Sequence, residues 1–330
     1  MISNPKKIVI SRTDSIGDVA LTLPLAGILK EKYPDASIIF LGNTYTKPII
    51  KCCTSVDEVW EWAEIQKMED QQQLEWLVSQ NIDVFIHVFP RRELARLAKK
   101  AKIKYRIGTS HRLYHFLTCN HKPNFTRKSS DLHEAQLNTK LLTPFGINQS
   151  YSLKELSSLA NFTNLTQLPE KFNTLLKSDK KNLIFHSKSQ GSALEWGVDK
   201  FIDLAKSLNQ NQYTIFFTGT ETESEFFRDK LPQQKNIIDL SGKMNLDELI
   251  AFISKSDLLV ACSTGPLHIA GLSNIRTIGL FTPKKPLHFG RWQPLGKNVN
   301  ILEEKEISER HQPLGIDLQA VKHEIESSFL

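Results

Sequence analysis

Short runs of consecutive apolar residues recur along the chain, each followed by a stretch with apolar positions three or four residues apart. Residues 7–10, 37–41, 56–60, 83–89 and 104–107 read as strands in the first half, and 182–186, 213–218, 237–240, 258–261 and 277–281 in the second. Several are unbroken apolar runs rather than alternating ones, the pattern of strands covered on both faces. Helical spacing predicts helices at 18–32, 44–52, 71–79, 91–100 and 132–142, then at 198–208, 222–230, 246–254, 266–272 and 317–329. Strands alternating with helices argue for an α/β protein with doubly wound parallel sheets. Between 149 and 166 the pattern lapses into Ser, Asn and Thr, which predicts a linker and two domains, 1–160 and 161–330. The last helix is free to cross back onto the first half. Two such sheets put ligands at the carboxyl ends of their strands, across a central cleft.

The 330 residues, 40 % of them hydrophobic with mean hydropathy −0.30, supply enough apolar material for two cores. The longest uncharged apolar run, 19–29, contains Pro24 and is far below the ~20 residues that span a bilayer. With no signal peptide pattern at the amino terminus, the chain reads as cytoplasmic. Cys52, Cys53, Cys119 and Cys262 have no metal-ligand spacing, and the adjacent pair reads as buried thiols. The net charge of +6 is uneven: from Arg91 to Arg112 there are nine Lys and Arg against the single acid Glu93. That run is either a solvated helix face followed by a basic strand or a surface for an anionic partner. Nucleic acid is the weakest such partner, because no recognised binding motif accompanies the charge.

Two turns carry candidate chemistry. Near the amino terminus, Arg12-Thr13-Asp14-Ser15-Ile16-Gly17-Asp18 follows a strand and opens a helix. Asp18 there is either a helix cap or a general base taking a proton from an attacking hydroxyl, with Asp14 a weaker candidate. Near the other end, Ser263-Thr264-Gly265-Pro266-Leu267-His268 also joins a strand to a helix. Thr264 can cap that helix and Pro266 suits its first position, and free amides at the positive end of its dipole suit a phosphate. His268 is a packing residue or a catalyst.

After the strand at 182–186, Ser187, Lys188 and Ser189 offer hydroxyls and a charge to diphosphate oxygens, or form a polar loop. Glu223, after the strand at 213–218, is placed to bind ribose hydroxyls or simply to complement a helix amino terminus. Arg12, Arg91 and Arg92 are the candidate anion-binding cations. The dinucleotide fingerprint, a Walker A loop, Asp-x-Asp and His-Glu-x-x-His are all absent, so a metal ion is not expected.

Taken together, residues 15–24, Tyr33-Pro34-Asp35-Ala36, Arg106-Ile107-Gly108, Leu240-Ser241-Gly242-Lys243 and the 263–268 turn resemble glycosyltransferase family 9, the heptosyltransferases of lipopolysaccharide core assembly. The resemblance implies a GT-B fold with an acceptor-binding first domain and a donor-binding second one. It implies metal-independent, inverting transfer of a sugar from a nucleotide diphosphate, usually ADP-heptose, to a cell-envelope glycolipid. It further implies Asp18 as base, and Ser263, Thr264, Gly265 and His268 at the diphosphate and donor sugar. No cofactor beyond the nucleotide sugar is implied. The partners are an anionic glycolipid and the inner face of the cytoplasmic membrane. Ser263 stands where the family usually has aspartate, and Leu194 where well-studied members carry a donor-phosphate lysine, a role open to Lys188 or Arg291 here. A nucleotide-sugar epimerase, or a binding protein for nucleotide sugars or lipids, is the alternative.

Overall fold

The computed structural model describes residues 1–128, 130–307 and 312–329. The chain divides into two compact units, Met1–Asn164 and Leu165–Leu330. Each is built on one fully parallel sheet.

In the first unit the strands are β1 (Lys7–Ser11), β2 (Ser37–Gly42), β3 (Glu58–Glu61), β4 (Val84–His87) and β5 (Tyr105–Ile107), in the order β3-β2-β1-β4-β5. The central strands are solvent-free because Ile8, Val9, Ile10, Val84, Phe85 and Ile86 are apolar on both faces. On one face Val9, Leu41, Trp60, Phe85, Leu94 and Leu97 close a single core.

The second unit contains β6 (Lys181–His186), β7 (Tyr213–Phe217), β8 (Ile237–Asp239), β9 (Leu258–Cys262), β10 (Arg276–Phe281) and β11 (Val299–Glu303), in the order β11-β10-β9-β6-β7-β8. Its core packs Phe185, Phe217 and Val260 against Trp196, Phe201 and Phe227. The last helix, Leu318–Ser327, lays Val321 and Ile325 into this same core and packs on helix Val198–Ser207 of its own unit.

Two expected elements are corrected and one strand is added. The helix expected at 18–32 is two, Ile16–Ala20 and Pro24–Lys32. Pro24 has no N–H to donate back to Ala20 and its ring crowds that turn, so the first helix ends and Pro24 opens the second. The expected linker is not structureless, because Ser152 and Glu155 form a capping box that starts helix Leu153–Leu159. That helix packs on Pro24–Lys32, where Gly27 lacks the side chain that would strike the Leu159 carbonyl. Strand β11 was not expected at all; its partly exposed positions interrupt any apolar run.

One buried polar group in the first core has a measurable consequence. His87 is 1 % exposed and neither ring nitrogen has a hydrogen-bond partner among the described residues. Burial, with help from nearby His115 and Arg106, pushes its pKa from 6.5 down to about 3. Between those values the unfolded chain binds a proton that the folded chain does not, so stability falls as pH drops through the window. Urea unfolding across pH should therefore show wild type losing up to about 1.4 kcal/mol per pH unit relative to His87→Phe. Parallel pH curves for the two proteins would contradict this.

Candidate active-site residues at the strand-order reversals

In each sheet the direction of winding reverses once, between β1 and β4 in the first and between β6 and β9 in the second. Diverging connections open a crevice at the carboxyl ends of such strand pairs. The two candidate turns follow β1 and β9, so each lies at its own sheet's reversal.

In the first unit, Ser11 and His87 end β1 and β4 in direct register. The next residue, Arg12, is 4 % exposed. Its Nε donates to Asp14 Oδ1 at 2.8 Å, its Nη2 to Asp18 Oδ1, and its Nη1 to Glu134 Oε1 at 3.4 Å. Glu134 is buried and also accepts from Arg127 Nε at 2.8 Å. Arg127 in turn donates to Asn138 Oδ1 at 2.9 Å, and Asn138 Nδ2 reaches the Leu21 carbonyl and the Thr22 hydroxyl, each at 3.2 Å. The turn after β1 is thus tied to helix Glu134–Thr139, more than a hundred residues away.

These contacts bear on the cap reading of Asp18. Ser15 holds the N-cap position of helix Ile16–Ala20 without a side-chain capping bond, and Asp18 is the third helical residue. The Asp18 carboxylate accepts from Arg12 and, at 2.5 Å, from Ser15 Oγ, so it is held in one orientation rather than spent on capping. Burial pushes the Asp14 carboxyl up to about 6; Arg12 pulls it down, while Asp18 and Glu134 add to the rise. For Arg12 burial alone lowers the pKa, but Asp14, Asp18 and Glu134 together raise it, and the guanidinium stays charged. Arg12 as an anion-binding cation is corrected: it is buried and bound to three carboxylates of its own unit. Arg91 braces the same turn, donating to the Thr13 carbonyl at 2.9 Å and to the Thr13 hydroxyl, and it lies over the Phe89 ring. Arg92 is exposed on the next helix.

In the second unit Ser187 follows β6, and Ser263 and Thr264 follow β9. Thr264 precedes helix Gly265–Leu272, but its side chain makes no capping bond; Gly265 is the first helical residue and Pro266 the second. The expected Thr264 cap is therefore corrected. Its hydroxyl is buried and has no hydrogen-bond partner among the described residues, and the same holds for Ser187 Oγ and for Ser241 Oγ, just past β8. Gly242 beyond it takes φ +72°, a left-handed turn in which a β-carbon would strike Glu221. Ser263 is half-buried and His268 lies buried in the helix.

A cavity of about 540 Å³ lies beside the β6 and β7 ends, and its walls include Lys188, Gln190, Glu195, Thr220, Glu223 and Phe226. Lys188 and Ser189 are both held by Glu195. Glu195 takes Lys188 Nζ at 2.6 Å on one oxygen and the Ser189 amide and hydroxyl, each at 2.8 Å, on the other. Lys188 also lies 4.4 Å from the Phe226 ring centre. Glu223 shares a capping box with Thr220, accepting from its amide at 2.7 Å. Glu195 was missed in the sequence, where its one signal is that it ends an acid-free stretch beside Trp196. Glu134 had no local signal. Leu194 packs against the apolar core, and Arg291 lies 5.1 Å from the Trp292 ring centre. Among the described residues no group of three or more His, Cys, Asp or Glu could hold a metal ion.

Two units, each a parallel sheet with a polar turn at its reversal, make a GT-B fold. The chain belongs to glycosyltransferase family 9 (heptosyltransferase), whose model matches residues 75–314. A Haemophilus influenzae protein provisionally named a glycosyltransferase is 26 % identical over 303 residues, covering 88 % of this chain and 86 % of the relative. The lipopolysaccharide core heptosyltransferase OpsX of H. influenzae is 20 % identical over 329 residues, covering 94 % and 88 %. The structure of the Escherichia coli heptosyltransferase WaaC with ADP superposes with a TM-score of 0.73 at 18 % identity, covering 98 % of this chain and 99 % of that one.

Arg12→Gln leaves Glu134 and Asp18 short of a buried countercharge and should cost about 3–5 kcal/mol of stability by urea unfolding; a loss below about 1 kcal/mol, the range of exposed pairs, would contradict the buried network. In carboxyl-carbon NMR titrations Asp14 should titrate near pH 6 in wild type and lower in Asp18→Asn, which removes a repelling charge.

Proposed function

We propose that this glycosyltransferase moves a sugar from a nucleotide diphosphate, ADP-heptose being the first candidate, to a lipopolysaccharide-core or similar membrane-borne glycolipid. The reaction is an inverting single displacement without a metal. Asp18 takes the proton of the acceptor hydroxyl as its oxygen attacks the anomeric carbon. The bond from that carbon to the diphosphate breaks on the opposite face, and the nucleoside diphosphate leaves with the electron pair.

One observation carries the reading: the buried hydroxyls of Ser187 and Thr264, which follow the adjacent strands β6 and β9, have no partners among the described residues, and Thr264 stands at the head of helix Gly265–Leu272. Buried hydroxyls are normally paired, and a helix amino terminus favours an anion, so the pair fits diphosphate oxygens. The names of the relatives support the same class, since OpsX is named for the lipopolysaccharide core and WaaC was solved with ADP. Ser263 and Leu194 argue for a donor-sugar site that differs in detail from the family's usual one.

The test is a nucleotide-sugar panel with lipid-linked and core-oligosaccharide acceptors, scored for released nucleoside diphosphate and acceptor-linked sugar. Asp18→Asn should lower turnover about 10²–10⁴-fold with donor affinity kept, and Thr264→Val should weaken donor binding about tenfold. Full turnover by Asp18→Asn would remove the base assignment. Conversion of the donor sugar without nucleotide release would favour an epimerase, and calorimetric binding without any turnover a binding protein.

A further inference from the structure

The first unit carries a short helix that is amphipathic the wrong way round. In helix Leu113–Thr118, His115 and Thr118 face the protein and are buried, while Leu113, Phe116 and Leu117 are 88 %, 58 % and 74 % exposed. Positions i, i+3 and i+4 share one helical face, so the three apolar side chains form one outward ridge. The helix is firmly seated on its inner side. Arg106 Nε donates to the Thr118 carbonyl at 2.8 Å, and His115 Nδ1 meets the Thr109 carbonyl at 3.0 Å. A fixed apolar ridge facing water is costly unless something covers it.

The surrounding charge says what that is. Residues 94–130 include ten Lys and Arg and no acid, so the other 293 residues together sum to −4. Helix Arg92–Lys100 packs beside the ridge helix; Arg92, Arg96 and Lys99 are exposed on it, and Arg92 lies within electrostatic reach of Tyr114. Arg112 opens the ridge helix, and Lys122 lies 5.7 Å from the Phe116 ring centre. Leucine and phenylalanine ringed by cations match an anionic bilayer surface, where the apolar side chains enter the acyl boundary and the cations stay with the headgroups. A second copy of the chain would bring the same positive charge against itself.

We propose that Leu113, Phe116 and Leu117, with Arg92, Arg96, Lys99 and Arg112 around them, dock the protein on an anionic lipid bilayer. This deepens the reading of a membrane-borne acceptor, but its test uses no turnover. Flotation of the full chain with phosphatidylcholine vesicles should show binding only when phosphatidylglycerol is present, weakening as salt rises. Phe116→Ser combined with Leu117→Gln should cut partitioning about tenfold or more at unchanged thermal stability, and Arg96→Gln combined with Arg112→Gln should flatten the salt dependence. Failure of wild type to bind phosphatidylglycerol vesicles at low salt, or undiminished binding by the apolar variant, overturns the proposal. Self-association of wild type that the apolar variant abolishes, without lipid binding, overturns it in favour of a second copy. Nucleotide-sugar turnover by the apolar variant separates this outcome from the functional reading, because these side chains lie outside the candidate turns.

Discussion

A parallel sheet delivers all its strand ends to one edge, and every polar group buried there needs a partner. The two units meet this constraint in opposite ways. In the first, Arg12 gathers Asp14, Asp18 and Glu134, and Arg127 supports Glu134 from outside. The result is a turn held by its own charges, with the Asp18 oxygens aimed by Arg12 and Ser15. In the second, the Ser187, Ser241 and Thr264 hydroxyls are buried without a partner among the described residues. A closed charge cluster holds its carboxylates in fixed orientations, whereas buried hydroxyls without partners fit a ligand that brings its own acceptors.

That contrast also sorts the charged residues of the second unit. Lys188 is the obvious cation for a diphosphate by type and position, yet Glu195 neutralises it and fixes Ser189 with the same carboxylate. Lys188 and Phe226 together form part of the wall of the cavity. Leu194 fits this arrangement, since its side chain belongs to the apolar core under the loop. Electrostatics that are satisfied internally contribute order, and those left open contribute binding.

The central strands were legible because burial on both faces forces an unbroken apolar run, as in Ile8-Val9-Ile10 and Leu258–Cys262. Both reversal turns were legible as strand, small residues, then helix. What the sequence hid depended on distance or on inversion. Arg12 and Glu134 are 122 positions apart, and no periodicity links them. Helix Leu113–Thr118 escaped because its apolar face points outward, so its pattern does not mark a core-facing helix. Strand β11 escaped because, at the sheet edge, its mixed polarity carries no strand signal. Capping by Thr264 was a reasonable expectation from residue type, and its failure leaves the hydroxyl available.

The most direct test of this account is a crystal structure with a nucleoside diphosphate bound. The account predicts diphosphate oxygens within hydrogen-bonding distance of Ser187 Oγ and Thr264 Oγ1, at the amino terminus of helix Gly265–Leu272. A diphosphate bound elsewhere, with both hydroxyls still buried and without partners, would contradict it.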